Sequence, residues 1–365
     1  MTSQRVSRLL QLAAQQHLAA VVIMPGPNLR YFSGLHFHLS ERPAVALLPV
    51  EGQPTLICPA FEATKTTASP IPWQVFTYAD GQDPLEAFQA ASQALKLDRA
   101  QVGVEALKMR VLELRLLEKA TRGVTFETAD PLIAQLRMIK EADEVAAMRR
   151  AIVMTEQALD DVLGNVHAGL TEHYLANELT LALLRRGAEA LAFEPLIQSG
   201  PNTALPHALP GERMIQAGDM LLLDFGVTVD GYNSDITRTF AVGDPGPELR
   251  KIYEVVKQAN AAGRAAAKPG ASGQDVDRAA RQVIEAAGYG QYFTHRTGHG
   301  LGLEGHEPPY MVEGNTTPLE VGNTFTVEPG IYVPGLGGVR IEDDLLITPA
   351  GVESLTTYDR ELRII

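Results

Sequence analysis

The chain has 365 residues, 45% of them hydrophobic, with 31 Lys and Arg against 44 Asp and Glu and a formal net charge of -13. That length exceeds one ordinary core and implies two domains, with enough apolar sequence to bury both. The acidic balance excludes nucleic acid or an anionic membrane as an electrostatic partner, and the single cysteine excludes an intramolecular disulfide.

In chain order, a helix is expected at 5–17, and the apolar stretch at 18–24 is too short for a membrane span or a signal-peptide core, so the expected location is cytoplasmic. A strand at 19–24, a Pro-Gly-Pro-Asn turn at 25–28 and a hairpin of 44–49 with 53–57 follow. A strand at 73–78, a helix at 83–95, a short strand at 101–104 and an amphipathic helix at 107–121 continue the alternation, which is that of an α/β domain. It holds no catalytic motif: His36 and His38 flank Phe37 in an expected exposed loop, and Cys58 lies in a buried-strand pattern where a thiol is inert. No Gly-x-Ser-x-Gly elbow is present. The boundary is expected within 123–131, giving domains 1–128 and 129–365, the second opening on a long helix at 141–163.

The second domain repeats itself at an offset of 101 residues: Gly169-Leu170-Thr171 matches Gly270-Ala271-Ser272, Gly187 matches Gly288, Gln157-Ala158 matches Gln258-Ala259, and Arg149 matches Arg250. Each copy reads as a long helix, a Gly-x-Ser/Thr helix start, a second helix ending at glycine, and strands. Two copies are too few for a solenoid, so two related halves around one shared site are expected.

Five candidate metal ligands lie along this domain: Asp224, Asp235, His299, Glu328 and Glu342. Two hard divalent ions a few Å apart need carboxylates that bridge, an imidazole and a position left for water. Strand-like 219–229 and 233–242 flank Asp230-Gly231, a hairpin signal that places Asp224 opposite Thr237 and Asp235 on the same face. Among 44 acidic residues most are solvated, and Asp219, Glu248, Glu254 and Asp275 suit helix caps, first turns or exposed faces. Asp224 differs because it ends the apolar run at 220–223, where an unpaired carboxylate is costly to bury. His17, His167 and His173 carry no such pattern, and His207 by itself is an ordinary turn histidine. In 294–307, by contrast, three histidines sit among four glycines that let imidazoles approach one centre.

These residues resemble the Xaa-Pro peptidases of the pita-bread metallopeptidase family, which includes aminopeptidase P and prolidase. The resemblance rests on Asp-Phe-Gly at 224–226, Ser-Asp-Ile-Thr-Arg-Thr at 234–239, Gly-His-Gly-Leu-Gly at 298–302, His306-Glu307-Pro308, Glu328-Pro329-Gly330 and Arg340-Ile341-Glu342-Asp343. It implies an α+β fold, a pita-bread catalytic domain of two pseudo-symmetric ααβ halves preceded by a smaller creatinase-like α/β domain. It further implies two divalent ions, manganese first with cobalt or zinc as alternatives; oxygen-rich ligation favours manganese over zinc. Asp224 would chelate one ion, His299 and Glu328 the other, and Asp235 and Glu342 would bridge them. Glu328 would also handle the proton of the attacking water, His207, His295 and His306 would meet substrate or the developing oxyanion, and Arg340 would position the bridging carboxylates. Homodimers or larger homo-oligomers are implied as well.

Peptides with proline at the second position are the substrates that the resemblance implies. A dipeptidase must hold a free carboxylate, which wants a cation. Residues 307–327 contain no Lys or Arg, and Tyr310 stands where prolidases tend to carry a basic residue, so an Xaa-Pro aminopeptidase is expected ahead of an Xaa-Pro dipeptidase. A methionine aminopeptidase would lack the preceding domain, a creatinase-type amidinohydrolase does without metals, and a non-catalytic binding protein would have lost ligands.

Overall fold

In the computed structural model, which describes residues 2–365, the apolar runs of the first third become one six-stranded sheet. Its elements are α1 (Thr2–Gln15), β1 (Ala20–Ile23), α2 (Pro27–Ser33), β2 (Val45–Pro49), β3 (Thr55–Pro59), β4 (Gln74–Tyr78), α3 (Leu85–Leu95), β5 (Gln101–Val104), α4 (Val111–Ala120), β6 (Thr125–Thr128) and α5 (Asp130–Arg137). The strand order is β4-β3-β2-β1-β5-β6, with antiparallel pairing from β1 through β3 and parallel pairing outside. Every residue of β1, β2 and β3 is buried, which is why these strands read as continuous apolar runs rather than alternating ones. Phe88 of α3 and Leu117 of α4 join Val22, Leu47 and Ile57 in the core. Cys58 is fully buried, and burial pushes its thiol up to about 12, as suits an inert residue.

Two features depart from expectation. The turn at 25–28 runs directly into α2, because Pro27 occupies the first helical turn, where its missing N–H costs nothing. The chain also separates after Arg137 rather than near residue 128, since α5 packs on α1 and buries Leu132, Ile133 and Leu136 within the first unit.

The second unit, Met138–Ile365, contains α6 (Ala142–Leu163), α7 (Glu172–Arg185), β7 (Ala190–Leu191), β8 (Leu196–Ser199), β9 (Met220–Phe225), β10 (Val227–Val229), β11 (Tyr232–Asn233), β12 (Ile236–Ala241), α8 (Gly246–Ala266) and α9 (Gly273–Ala286). There follow β13 (Gly298–Gly300), β14 (Glu307–Met311), β15 (Thr324–Val327), β16 (Gly330–Val333), β17 (Gly337–Arg340), β18 (Asp343–Thr348) and β19 (Gly351–Ser354). The internal correspondence is structural: α7 and α9 start and stop at the same repeat positions. Thr171 and Ser272 cap them alike, each side chain accepting from the N–H three residues on. Helices α6 and α7 cover β8, β9 and β12 through Leu159, Leu179 and Phe225, while α8 packs through Ile252 and Val256 on Ile331 and Val339 of β16 and β17. Among the described residues, no helix is long and apolar enough to cross a membrane.

In the first unit a buried carboxyl joins β1 to α2. Glu105 accepts from Met24 N–H and, at 2.5 Å, from Asn28 Nδ2, while Arg137 Nη1 donates to Asn28 Oδ1 at 2.7 Å. Burial raises Glu105 to about 7 against its ordinary 4.5, with Asp130 adding to the shift and the two hydrogen bonds and Arg137 opposing it. A carboxyl raised in the fold contributes stability that is complete below its unfolded value and is lost as pH rises through the folded one. The first unit is therefore expected to lose about 3 kcal/mol between pH 4.5 and 7 from this group alone. Urea melts followed by Trp73, the only tryptophan, should show that loss in the wild type and a flatter profile in Glu105→Gln.

Candidate metal centre

Hairpin geometry fixes the first two acidic residues. Asp230 and Gly231 take φ of 51° and 83°, the left-handed pair that a tight two-residue turn demands, and the register that follows sets Thr237 opposite Asp224 as expected. Sheet pairing is interrupted at Gly226, where the strands close in: a Cβ there would stand 1.9 Å from Ser234 O, so no other residue fits. Asp235 follows this crossing, and its backbone N–H donates to Asp344 Oδ2 at 3.0 Å.

The remaining acids arrive on strands of the other half. His299 lies at the centre of β13, where the pairing with β14 shifts register immediately after it. Its N–H donates to Thr326 Oγ1 at 3.1 Å, and the same hydroxyl donates to Glu328 Oε1 at 3.2 Å. Glu342 precedes β18, its Oε2 accepting from Thr237 Oγ1 at 2.6 Å. Donor atoms of Asp235, His299 and Glu342 lie within 4.8 Å of one another, and His299 Nε2 stands 3.3 Å from Glu328 Oε1. Asp224, held by Arg340 Nη2 at 2.5 Å, is near enough to act electrostatically on Asp235 and Glu342. Asp224, Asp235, His299 and Glu342 are buried, and Glu328 is partly so. Asp235, His299 and Glu342 thus form one group, with Glu328 against His299 and Asp224 within electrostatic reach.

The electrostatics suit a cation. Burial raises Asp235 and Glu342 far above the carboxylate range; facing acids add to it, Glu342 and Asp224 on the former and Glu328 and Asp224 on the latter. Asp224 is raised by burial too, against the pull of Arg340. Glu328 goes the other way: burial works against it, but the hydrogen bond from His299 and the charges of His299, His295 and Arg340 bring it down to about 2. Asp224 Oδ1 and Asp235 Oδ1 are buried without a hydrogen-bond partner among the described residues. Orphaned oxygens in a ring of mutually repelling acids fit divalent ions, which remove both penalties at once.

Arg340 is fully buried and donates from Nη1 to Tyr332 Oη (2.9 Å) and Pro206 O (3.2 Å) and from Nε to Thr237 Oγ1 (3.0 Å). Thr237 therefore bridges Arg340 and Glu342. Tyr332 likewise joins Arg340 to His295, whose Nε2 lies 2.8 Å from its hydroxyl. The His306 ring lies tilted against that of His299, centroids 3.8 Å apart; burial, His299 and Arg296 lower its pKa to about 4, so it is neutral at pH 7. His207 is exposed in the loop after residues 200–204 and close enough to bear electrostatically on Asp224, His295 and His306. Sequence reasoning overlooked Thr237, Tyr332, Thr326 and Asp344. Thr237 was within sight, inside the Ser-Asp-Ile-Thr-Arg-Thr segment; Tyr332 resembles any strand tyrosine. Behind the site, Arg238 donates to Glu342 O at 2.5 Å and pairs with buried Asp343 at 2.8 Å, while Lys140 pairs with Glu307 at 2.5 Å beneath the 301–306 loop.

Residues 146–349 match Metallopeptidase family M24, and residues 5–139 match the Creatinase/Prolidase N-terminal domain. Among solved structures, a dipeptidase from Pyrococcus horikoshii OT3 is similar at 39% identity and TM-score 0.94, covering 99% of this chain and 100% of that one. A prolidase from Thermococcus sibiricus gives 33% and 0.95, covering 100% and 99%. An X-Pro aminopeptidase from Thermotoga maritima MSB8 gives 31% and 0.87, covering 99% of each.

Thr237→Val removes the hydroxyl that serves both Arg340 and Glu342. Equilibrium dialysis against manganese is expected to show a 10- to 100-fold weaker affinity, roughly the effect of losing a group that orients a ligand, with circular dichroism unchanged and Thr237→Ser recovering most of the loss.

Proposed function

The chain belongs to metallopeptidase family M24 and carries a creatinase/prolidase N-terminal domain, and from that premise we propose that it is a dinuclear Xaa-Pro dipeptidase that splits a residue from a following C-terminal proline. The observation that carries this is the end-to-end likeness to a dipeptidase and a prolidase at TM-scores of 0.94 and 0.95. It reverses the order expected from sequence, where the lack of Lys and Arg at 307–327 favoured the aminopeptidase.

In this proposal Asp224, Asp235, His299, Glu328 and Glu342 hold two divalent ions, and the oxygen-rich set suits manganese, with cobalt or zinc as alternatives. Bound ions acidify water, polarise the scissile carbonyl and stabilise charge on its oxygen. The chain's own contributions surround that chemistry. Glu328, ionised near neutrality, takes the proton of the attacking water. His306, held neutral, and His207 offer imidazole N–H groups to substrate, where a donor aimed at the developing oxyanion counts most. Arg340 acts from behind, fixing Asp224 directly and Glu342 through Thr237; through Tyr332 it also orients His295 towards the substrate side. A cytoplasmic setting, which the single cysteine suits, and a homo-oligomer complete the proposal.

The manganese-loaded protein is expected to hydrolyse Ala-Pro faster than Ala-Pro-Ala, to leave Ala-Ala-Ala intact and to lose activity to a chelator. Preference for Ala-Pro-Ala would restore the aminopeptidase. Asp235→Ala and Glu342→Ala should each reduce Ala-Pro turnover to background while the far-ultraviolet circular dichroism stays native; undiminished turnover in both would remove the dinuclear mechanism.

A further inference from the structure

Two arginines reach the candidate site, and they differ in how far their charge is used. Arg340 is fully buried and engaged by Asp224, Tyr332, Thr237 and Pro206. Arg296 is half-buried, and no carboxylate among the described residues pairs with it, although its neighbours Arg278 and Arg281 are paired with Glu313 and Asp277. Its guanidinium carbon lies 4.4 Å from the centroid of the Tyr310 ring, and Nη2 stands 3.4 Å from His306 Nδ1, at the outer limit of a hydrogen bond.

The placement is specific. Tyr310 is the cross-strand partner of His299, and the tilted ring of His306 has its centroid 3.8 Å from that of His299, so both groups that Arg296 touches adjoin a candidate metal ligand. The main chain of Arg296 is tied down as well, since its carbonyl lies 2.7 Å from His295 Nδ1. A guanidinium lying on an aromatic ring keeps its in-plane N–H edge free, and that edge matches a carboxylate in two parallel bonds. In an Xaa-Pro dipeptide the terminal carboxylate follows the scissile carbonyl within about one residue length, ~4 Å. A longer peptide presents a neutral amide at that point.

We propose that Arg296, backed by the ring of Tyr310, holds the C-terminal carboxylate of the substrate and so sets its length at two residues. This rests on the dipeptidase reading above. It also supplies, from upstream of the Gly-His-Gly segment, the cation that residues 307–327 lack.

The test compares Ala-Pro with Ala-Pro-amide, which has no terminal charge, on the manganese-loaded full chain as wild type, Arg296→Gln and Arg296→Lys. The wild type should favour the acid. Arg296→Gln should raise KM for Ala-Pro roughly 10- to 100-fold, the worth of a charge-assisted pair, with kcat little changed and the amide affected at least tenfold less. Arg296→Lys should restore part of the acid preference, and inhibition by free proline should weaken in step while that by prolinamide holds. Equal losses on acid and amide would overturn the proposal and assign Arg296 to the support of His306. An unchanged KM for Ala-Pro in both variants would overturn it and leave the dipeptidase standing. A wild type that cleaves Ala-Pro-Ala well and does not distinguish acid from amide would overturn both.

Discussion

Four carboxyl groups gathered in one largely buried ring repel one another, and the fold depends on the fixed charge that lets them stay. Arg340 provides it. Its guanidinium binds Asp224 directly and reaches Glu342 through the hydroxyl of Thr237, yet it leaves Asp224 Oδ1 and Asp235 Oδ1 unmatched. One positive charge against four acids is a partial settlement. The ring is held by groups of its own chain and still suits a further positive charge.

Strand geometry does the gathering. A tight turn at Asp230-Gly231 sets the register of one pair of acids, and the absence of a side chain at Gly226 lets the chain cross close enough for Asp235 to turn towards the second half. In that second half Thr326 touches both His299 and Glu328, and Arg238 and Asp343 brace Glu342 from behind. Every one of these groups belongs to the unit from Met138 onward. The first unit, with its own sheet and its own buried Glu105, contributes none of the five candidate ligands.

Much of this was legible in the sequence, and the exceptions have physical causes. The hairpin register could be read because a two-residue turn leaves no freedom, and the repeat could be read because helix starts and stops use few residue types. The five candidate ligands stood out because a charge beside or inside an apolar strand asks for a partner and because the motifs around them resemble those of a known family. Helix α2 was missed because Pro27 serves a turn and a helix start equally well. Tyr332 and Thr237 were missed because tyrosine and threonine suit any strand, and only tertiary contact gives them work. The order of aminopeptidase and dipeptidase expected from sequence has a related origin. It rests on residues 307–327, downstream of His306, whereas the guanidinium of Arg296 lies upstream, brought alongside Tyr310 by the fold.

The internal repeat carries a consequence for how the second unit holds together. Its first half supplies Asp224 and Asp235, and its second supplies His299, Glu328 and Glu342. Ions held as proposed would act as a reversible cross-link, clasping sequence from residue 224 to residue 342 in a chain whose lone cysteine can make no intramolecular covalent one. Such a clasp would strengthen with the concentration of free metal and open when metal is scarce, so that the mechanical integrity of the unit would track the metal supply of its surroundings.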